Sequence, residues 1–369
     1  MSNNSSPNSS FLVRGSHLLI MITLIILGLY LGQSVLVPLV FAAFLASLVL
    51  PIVRRLTKCC LPDWLSALLG VVAVIFAGLL FFGFMSWQVR SFVDDSEGLN
   101  KAITEKRNDV LKYVESHYHV SRREQRNWLD EKYDELWNKG SSKALDFFTA
   151  TGTVLATMFI IPIFMFFLLL YREKFKQFVL MLNVGSHRNV SEIFREVATV
   201  AQKYVRGMSI VIIILAILNS IGFMLLGLKF AILLGFLAAV LNIIPYVGVL
   251  IGSLIPVGIA LITKDSIMSA VGALGVCVFV QFLENNFITP KIVGSSVKIN
   301  PLAALIALLL GGLIWGLPGM VLAIPLAGIM KVICDRVEPL QPYGFLIGEE
   351  VQHKPKRFRR KAASKPTDT

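Results

Sequence analysis

Residues 230–337 form a long apolar region broken at intervals by Pro, Gly and a few amides. As one helix, 230–262 would be about 50 Å long at ~1.5 Å per residue. A bilayer's hydrocarbon core is only ~30 Å thick, so this segment must tilt, break or turn back. Asn242-Ile243-Ile244-Pro245-Tyr246-Val247-Gly248 supplies the break. Pro245 removes a backbone donor, and Gly248 tolerates unusual dihedrals. Gly248 and Gly252 are spaced for close helix approach. The 301–334 stretch repeats the design: Gly312 and Gly316 permit close approach, and Leu317-Pro318-Gly319 breaks the helix. Broken backbone at membrane depth is tolerated only where protein buries it or it lines a cavity. The region therefore reads as a pathway or gate.

The rest of the chain supports a membrane setting. It is 55% hydrophobic and 16% charged, with mean hydropathy +0.71. Soluble domains carry roughly 25% charged residues. Several runs exceed the ~20 apolar residues of a spanning helix and lack the alternation of a β-barrel strand. The expected fold is an all-α integral membrane protein with about eight hydrophobic segments. Broken or re-entrant helices are expected in its C-terminal half. Net charge is +12, but the basic residues lie in short loops and a tail without interleaved aromatics, so no nucleic acid is expected. The four cysteines include no CxxC or Cys/His metal spacing. No metal and no cofactor are expected.

In chain order, 1–16 reads as a disordered N-terminus and 17–89 as spans one to three, with the first two at 17–33 and 36–53. That pair is separated by a break around Gly32 and Pro38. Asp63 is placed to cap the third span, and Trp64 suits an interface. Residues 90–146 carry 11 basic and 12 acidic side chains and the periodicity of two amphipathic helices. They read as an extracytoplasmic insert, either a partner-contact element or a plain hairpin. Span four covers 147–171. Residues 172–206 hold 7 basic against 3 acidic residues. Within them, Ile193, Phe194, Val197, Val200, Ala201, Tyr204 and Val205 form an apolar stripe, predicting an amphipathic cytoplasmic helix that runs into span five. The transport core is 207–337, and 338–369 is a basic tail. Positive loops at 54–58, 172–206 and 354–365 place both termini in the cytoplasm and the insert outside.

Asp265 and Glu284 are the only carboxylates between 207 and 334. Asp265 sits beside Lys264 in a loop. Glu284 shares a helical face with Cys277, Gln281 and Ile288, with Asn285 and Asn286 following it. A carboxylate among apolar residues and amides suits proton or cation coupling. The other reading puts Glu284 in water at a helix end, about 27 Å along from Ser266. Asn242, Gln281, Asn285 and Asn286 are amides available to a polar solute.

These residues carry a resemblance. The Pro245-Tyr246-Val247-Gly248 turn, Glu284-Asn285-Asn286, Pro290-Lys291-Ile292-Val293-Gly294, Asn300-Pro301, Gly311-Gly312, Gly316, Gly319 and Pro325 resemble the autoinducer-2 exporter family of bacterial membrane proteins. The resemblance covers nearly the whole chain. It implies an inner-membrane protein of about eight hydrophobic segments that assembles as a homo-oligomer. Some members are associated with autoinducer-2 export, others with sodium or lithium/proton antiport. Three functions follow as expectations: export of a small hydrophilic solute, cation/proton exchange at Glu284, or a non-transporting organiser working through the insert and tail. No HExxH and no nucleophile elbow are present, so an enzyme is not expected. The partners expected are membrane lipid and a small solute or monovalent cation.

Overall fold

The computed structural model describes residues 7–94, 104, 151–181, 187–244, 247–264, 266–294 and 297–349. Nearly all of the 90–146 insert, Pro245, Asp265 and the 354–365 cluster lie outside the described residues. The protein is an all-α integral membrane protein. Five helical stretches are long and apolar enough to span: Gln33–Lys58, Asp63–Gln88, Glu192–Leu225, Ile267–Ile292 and Pro301–Arg336. Four shorter apolar stretches join them, Gly15–Leu31, Phe159–Leu170, Ala231–Leu241 and Val247–Thr263. Small residues supply much of the interior, with Ala42, Ala67, Ala239, Ala260 and Ala273 fully buried beside a few large ones such as Phe223 and Leu169, while many other Leu, Ile and Phe side chains are exposed. Lipid solvates large apolar side chains, and small ones let backbones approach.

Helices α1 (Pro7–Leu31) and α2 (Gln33–Lys58) meet at Gly32. Pro38 does not help to break them: it is buried inside α2, with Pro51 further along. Consecutive Leu19, Ile20, Met21 and Ile22 are all exposed. Four residues cover a full turn, so no face of this part of α1 is packed. α1 is held near its end, where Trp315 Nε1 donates to Leu29 O at 2.9 Å. α2, α3 (Asp63–Asp94) and α4 (Thr151–Leu170) enclose Ala46, Val49, Val53, Ala67, Met165 and Leu169. Asp63 opens α3, and its carboxylate pairs with Arg172 at 2.6 Å.

Over 172–206 the described residues form α5 (Arg172–Met181) and the start of α6 (His187–Leu225); residues 182–186 lie outside the described residues. As expected, the striped segment continues unbroken into the fifth span. Ala201 is buried with Phe44 and Leu322, and Tyr204 packs by Val211 and Val293.

Beyond α6 the chain doubles back twice in helical hairpins. α7 (Ala231–Leu241) and α8 (Val247–Thr263) form the first. Their tips touch so closely that a Cβ on Gly248 would stand 1.7 Å from Leu241 O. Further down, a Cβ on Gly252 would meet Ala238 Cα at 3.2 Å. Eleven-residue α7 is about 16 Å long, half the ~30 Å core. α9 (Ile267–Leu283), a π-helical turn (Glu284–Ile288) and α10 (Thr289–Ile292) follow. α11 (Pro301–Arg336) is the second hairpin. Its reversal is at Gly316 (φ 62°, ψ −141°), not at Leu317-Pro318-Gly319 as the sequence suggested. Pro318 instead lies in the first turn of the return arm, where a missing N–H is harmless. Gly311 and Gly319 face each other across the hairpin. α12 (Gln341–Ile347) closes the described chain. Asn300 caps α11 through Ala303 N at 2.8 Å and donates to Leu346 O at 2.7 Å.

Candidate functional site

The site lies where the tip of the first hairpin meets the end of α9. Asn242 follows α7 directly, at the break before α8. Its Nδ2 donates to Glu284 Oε2 at 2.8 Å. Gln281 Nε2, one turn back on α9, donates to the same oxygen at 2.9 Å. Glu284 is half-buried. Two amide donors converge on one carboxylate oxygen, and when that carboxylate is ionised such charge-assisted bonds are about twice as strong as neutral ones.

The local backbone explains why Glu284 points there. Pro290 has no N–H to give, and its ring clashes with the carbonyl four residues back. The ladder shifts: Thr289 N–H bonds to Glu284 O, five residues away. The wide turn spans Glu284–Ile288. Such π segments recur at functional sites.

Beside the carboxylate is a cavity of about 30 Å³, lined by Asn219, Asn242, Ser253, Cys277, Gln281 and Glu284 among others. That space holds roughly two water molecules. Asn219 was not anticipated. It is buried on α6, 6% exposed, and its side chain lines the cavity. The available signal was a lone amide in the apolar run of span five, where polar residues are costly. Gly252 also lines the cavity, and its missing side chain lets α8 approach α7.

The other expected site residues divide. Asn285 is exposed and accepts from Gln281 at 3.3 Å. Asn286 turns back on its own helix, donating to Phe282 O at 2.9 Å, and does not join the cluster. Ile288 packs in the core by Val211 and Leu215. Of the break residues, Gly248 and Gly252 serve the first hairpin, while Gly312, Gly316, Pro318 and Gly319 serve the second. Pro290 sets the π turn. Pro245 lies outside the described residues. Among the described residues no His/Cys/Asp/Glu cluster suits a metal.

A model of the family described as AI-2E family transporter matches residues 19–338. The chain belongs to the AI-2E transporter family. Similar proteins include YrrI of Bacillus subtilis (strain 168), provisionally named a transport protein. It is 30% identical over 328 residues, covering 82% of this chain and 86% of YrrI. TqsA of Escherichia coli (strain K12), named an AI-2 transport protein, is 20% identical over 334 residues, 89% of this chain and 94% of TqsA. PerM of the same strain, provisionally named a permease, is 24% identical over 181 residues, 49% and 51% of the two chains. The match to the AI-2E family includes both hairpins, the π turn and Glu284.

Proposed function

We propose that this AI-2E transporter exports a small hydrophilic solute across the bacterial inner membrane, with autoinducer-2 as the substrate class. The observation that carries the reading is the Asn242–Glu284 hydrogen bond, which ties a broken, half-spanning hairpin tip to a π turn. A tip of this kind needs only a small displacement to open or close a polar path. Residues 207–337 are the transport core. Asn242, Gln281 and Asn285 offer donors and acceptors to a polar solute, and Glu284 acts as the latch. The name of TqsA supports autoinducer-2 as the cargo. In this reading both termini are cytoplasmic, following the Lys/Arg distribution. The uncovered turns of α1 favour a homo-oligomer in lipid.

A second reading is sodium or lithium/proton exchange at Glu284. The observation favouring it is the cavity's size, about 30 Å³. That suits a dehydrated monovalent cation or water and not a furanone in the conformation described. One experiment separates the two. Wild-type and Glu284→Gln protein in liposomes are assayed for autoinducer-2 efflux and for pH-dependent sodium flux. Signal efflux without sodium flux supports export; sodium flux alone supports exchange; neither flux favours a membrane organiser.

A further inference from the structure

We propose that the cleft between α2, α5 and the first turns of α6 is a binding site for an anionic phospholipid. The cleft is a cavity of about 370 Å³. Arg54, Lys176 and Arg195 supply its charge, and Leu50, Leu180 and Phe194 form an apolar wall. Arg54, Leu50 and Gln202 also line a neighbouring cavity of about 330 Å³, which adds Arg55 and Lys58. Among the described residues no carboxylate lines either space. Among the described residues Arg54 and Arg195 have no acidic partner, and Lys176 has only a long, exposed contact with Glu173 at 3.8 Å.

A second charged cavity nearby behaves differently, which sharpens the assignment. The space of about 640 Å³ between α6 and α11, which Arg195 also lines, holds Glu192, Glu196 and Asp335. These carboxylates bind Arg336 and Lys331, so part of that charge is satisfied within the protein. The α2–α5–α6 cleft has cations left over and an apolar wall beside them. A phosphodiester bridges guanidinium groups well, and acyl carbons cover Leu50 and Phe194. A soluble phosphate would leave that wall bare. The bound lipid would brace α6 against α2, at the foot of the helix that carries Asn219 into the transport site.

The test is native mass spectrometry of the full chain in detergent with phosphatidylglycerol or phosphatidylcholine. Arg54→Gln/Arg195→Gln is compared with Arg54→Lys/Arg195→Lys and with Lys264→Gln, which lies in the turn between α8 and α9. Wild type, the Lys pair and Lys264→Gln should retain phosphatidylglycerol selectively. The Gln pair should bind it roughly 25-fold more weakly, about fivefold per cation removed. A melting temperature in phosphatidylcholine within the spread of the Lys pair establishes that the Gln pair is folded. Equal phosphatidylglycerol binding by wild type and a folded Gln pair would overturn the proposal. Loss of that lipid on adding millimolar inorganic phosphate would also overturn it, by showing a soluble-anion site.

Discussion

Asn242 and Glu284 are 42 residues apart in sequence and share a 2.8 Å hydrogen bond. One belongs to the tip of a hairpin whose first arm has only eleven residues, the other to a widened turn at the end of α9. Replacing Asn242 with Ala removes one of two donors to Glu284 Oε2. Hydrogen bonds to charged groups contribute about 1.5–3 kcal/mol. Gln281 remains, so the loss should fall near the lower end. A thermal melt in detergent should show a modest fall, while the flux assay shows a much larger change. Unchanged flux would separate the hairpin tip from transport.

Gly248→Ala tests the same contact from the other arm. Its Cβ would stand 1.7 Å from Leu241 O, a backbone atom that cannot rotate aside. The two tips must separate, carrying Asn242 away from Glu284. A cross-linkable cysteine pair at 242 and 284 should form readily in a protein retaining Gly248 and poorly in the Ala variant. Equal cross-linking would mean that the tips tolerate the methyl group.

Gly316→Ala addresses the second hairpin. The φ of 62° with ψ of −141° is a conformation open essentially to Gly. Forcing an L-residue there costs about 1–3 kcal/mol. Pro318→Ala, in contrast, removes only a first-turn proline and should cost under about 1 kcal/mol. Comparing the two melts ranks the positions. A larger loss at Pro318 would contradict the placement of the reversal.

Trp315→Phe should loosen α1. The indole donates to Leu29 O at 2.9 Å, and among the described residues most of α1 is exposed. The bond contributes about 1 kcal/mol, so global stability should barely move. Proteolysis within α1 in detergent should quicken. Unchanged cleavage would show that α1 is held by something other than this bond.

Much of this arrangement was legible from length and punctuation. A 230–262 segment too long for one straight crossing, with Pro and Gly at its middle, had to break or return. Glu284 and its amides stood out as the sole charged and polar cluster in a long apolar stretch. Gly316 is one of the break candidates in the sequence, and among them it makes the reversal, because proline is compatible with a helix's first turn and only the positive φ demands glycine. Two features were not legible. Asn219 is an isolated amide whose cavity neighbours come from three other helices, so no local pattern marks it. Asn286 sits next to Asn285, yet the widened π turn sends it to Phe282 O instead of into the cluster.

The measurement that bears most directly on the central claim is flux through liposomes holding wild-type or Glu284→Gln protein. Glutamine keeps the shape but cannot ionise, and it replaces one of the two acceptor oxygens with an NH2 donor. If Glu284 is the latch of the transport path, the variant should lose at least about tenfold in flux, equivalent to about 1.4 kcal/mol, while melting close to wild type. Full flux in a folded Glu284→Gln protein would remove Glu284 from transport and leave the cluster a structural joint.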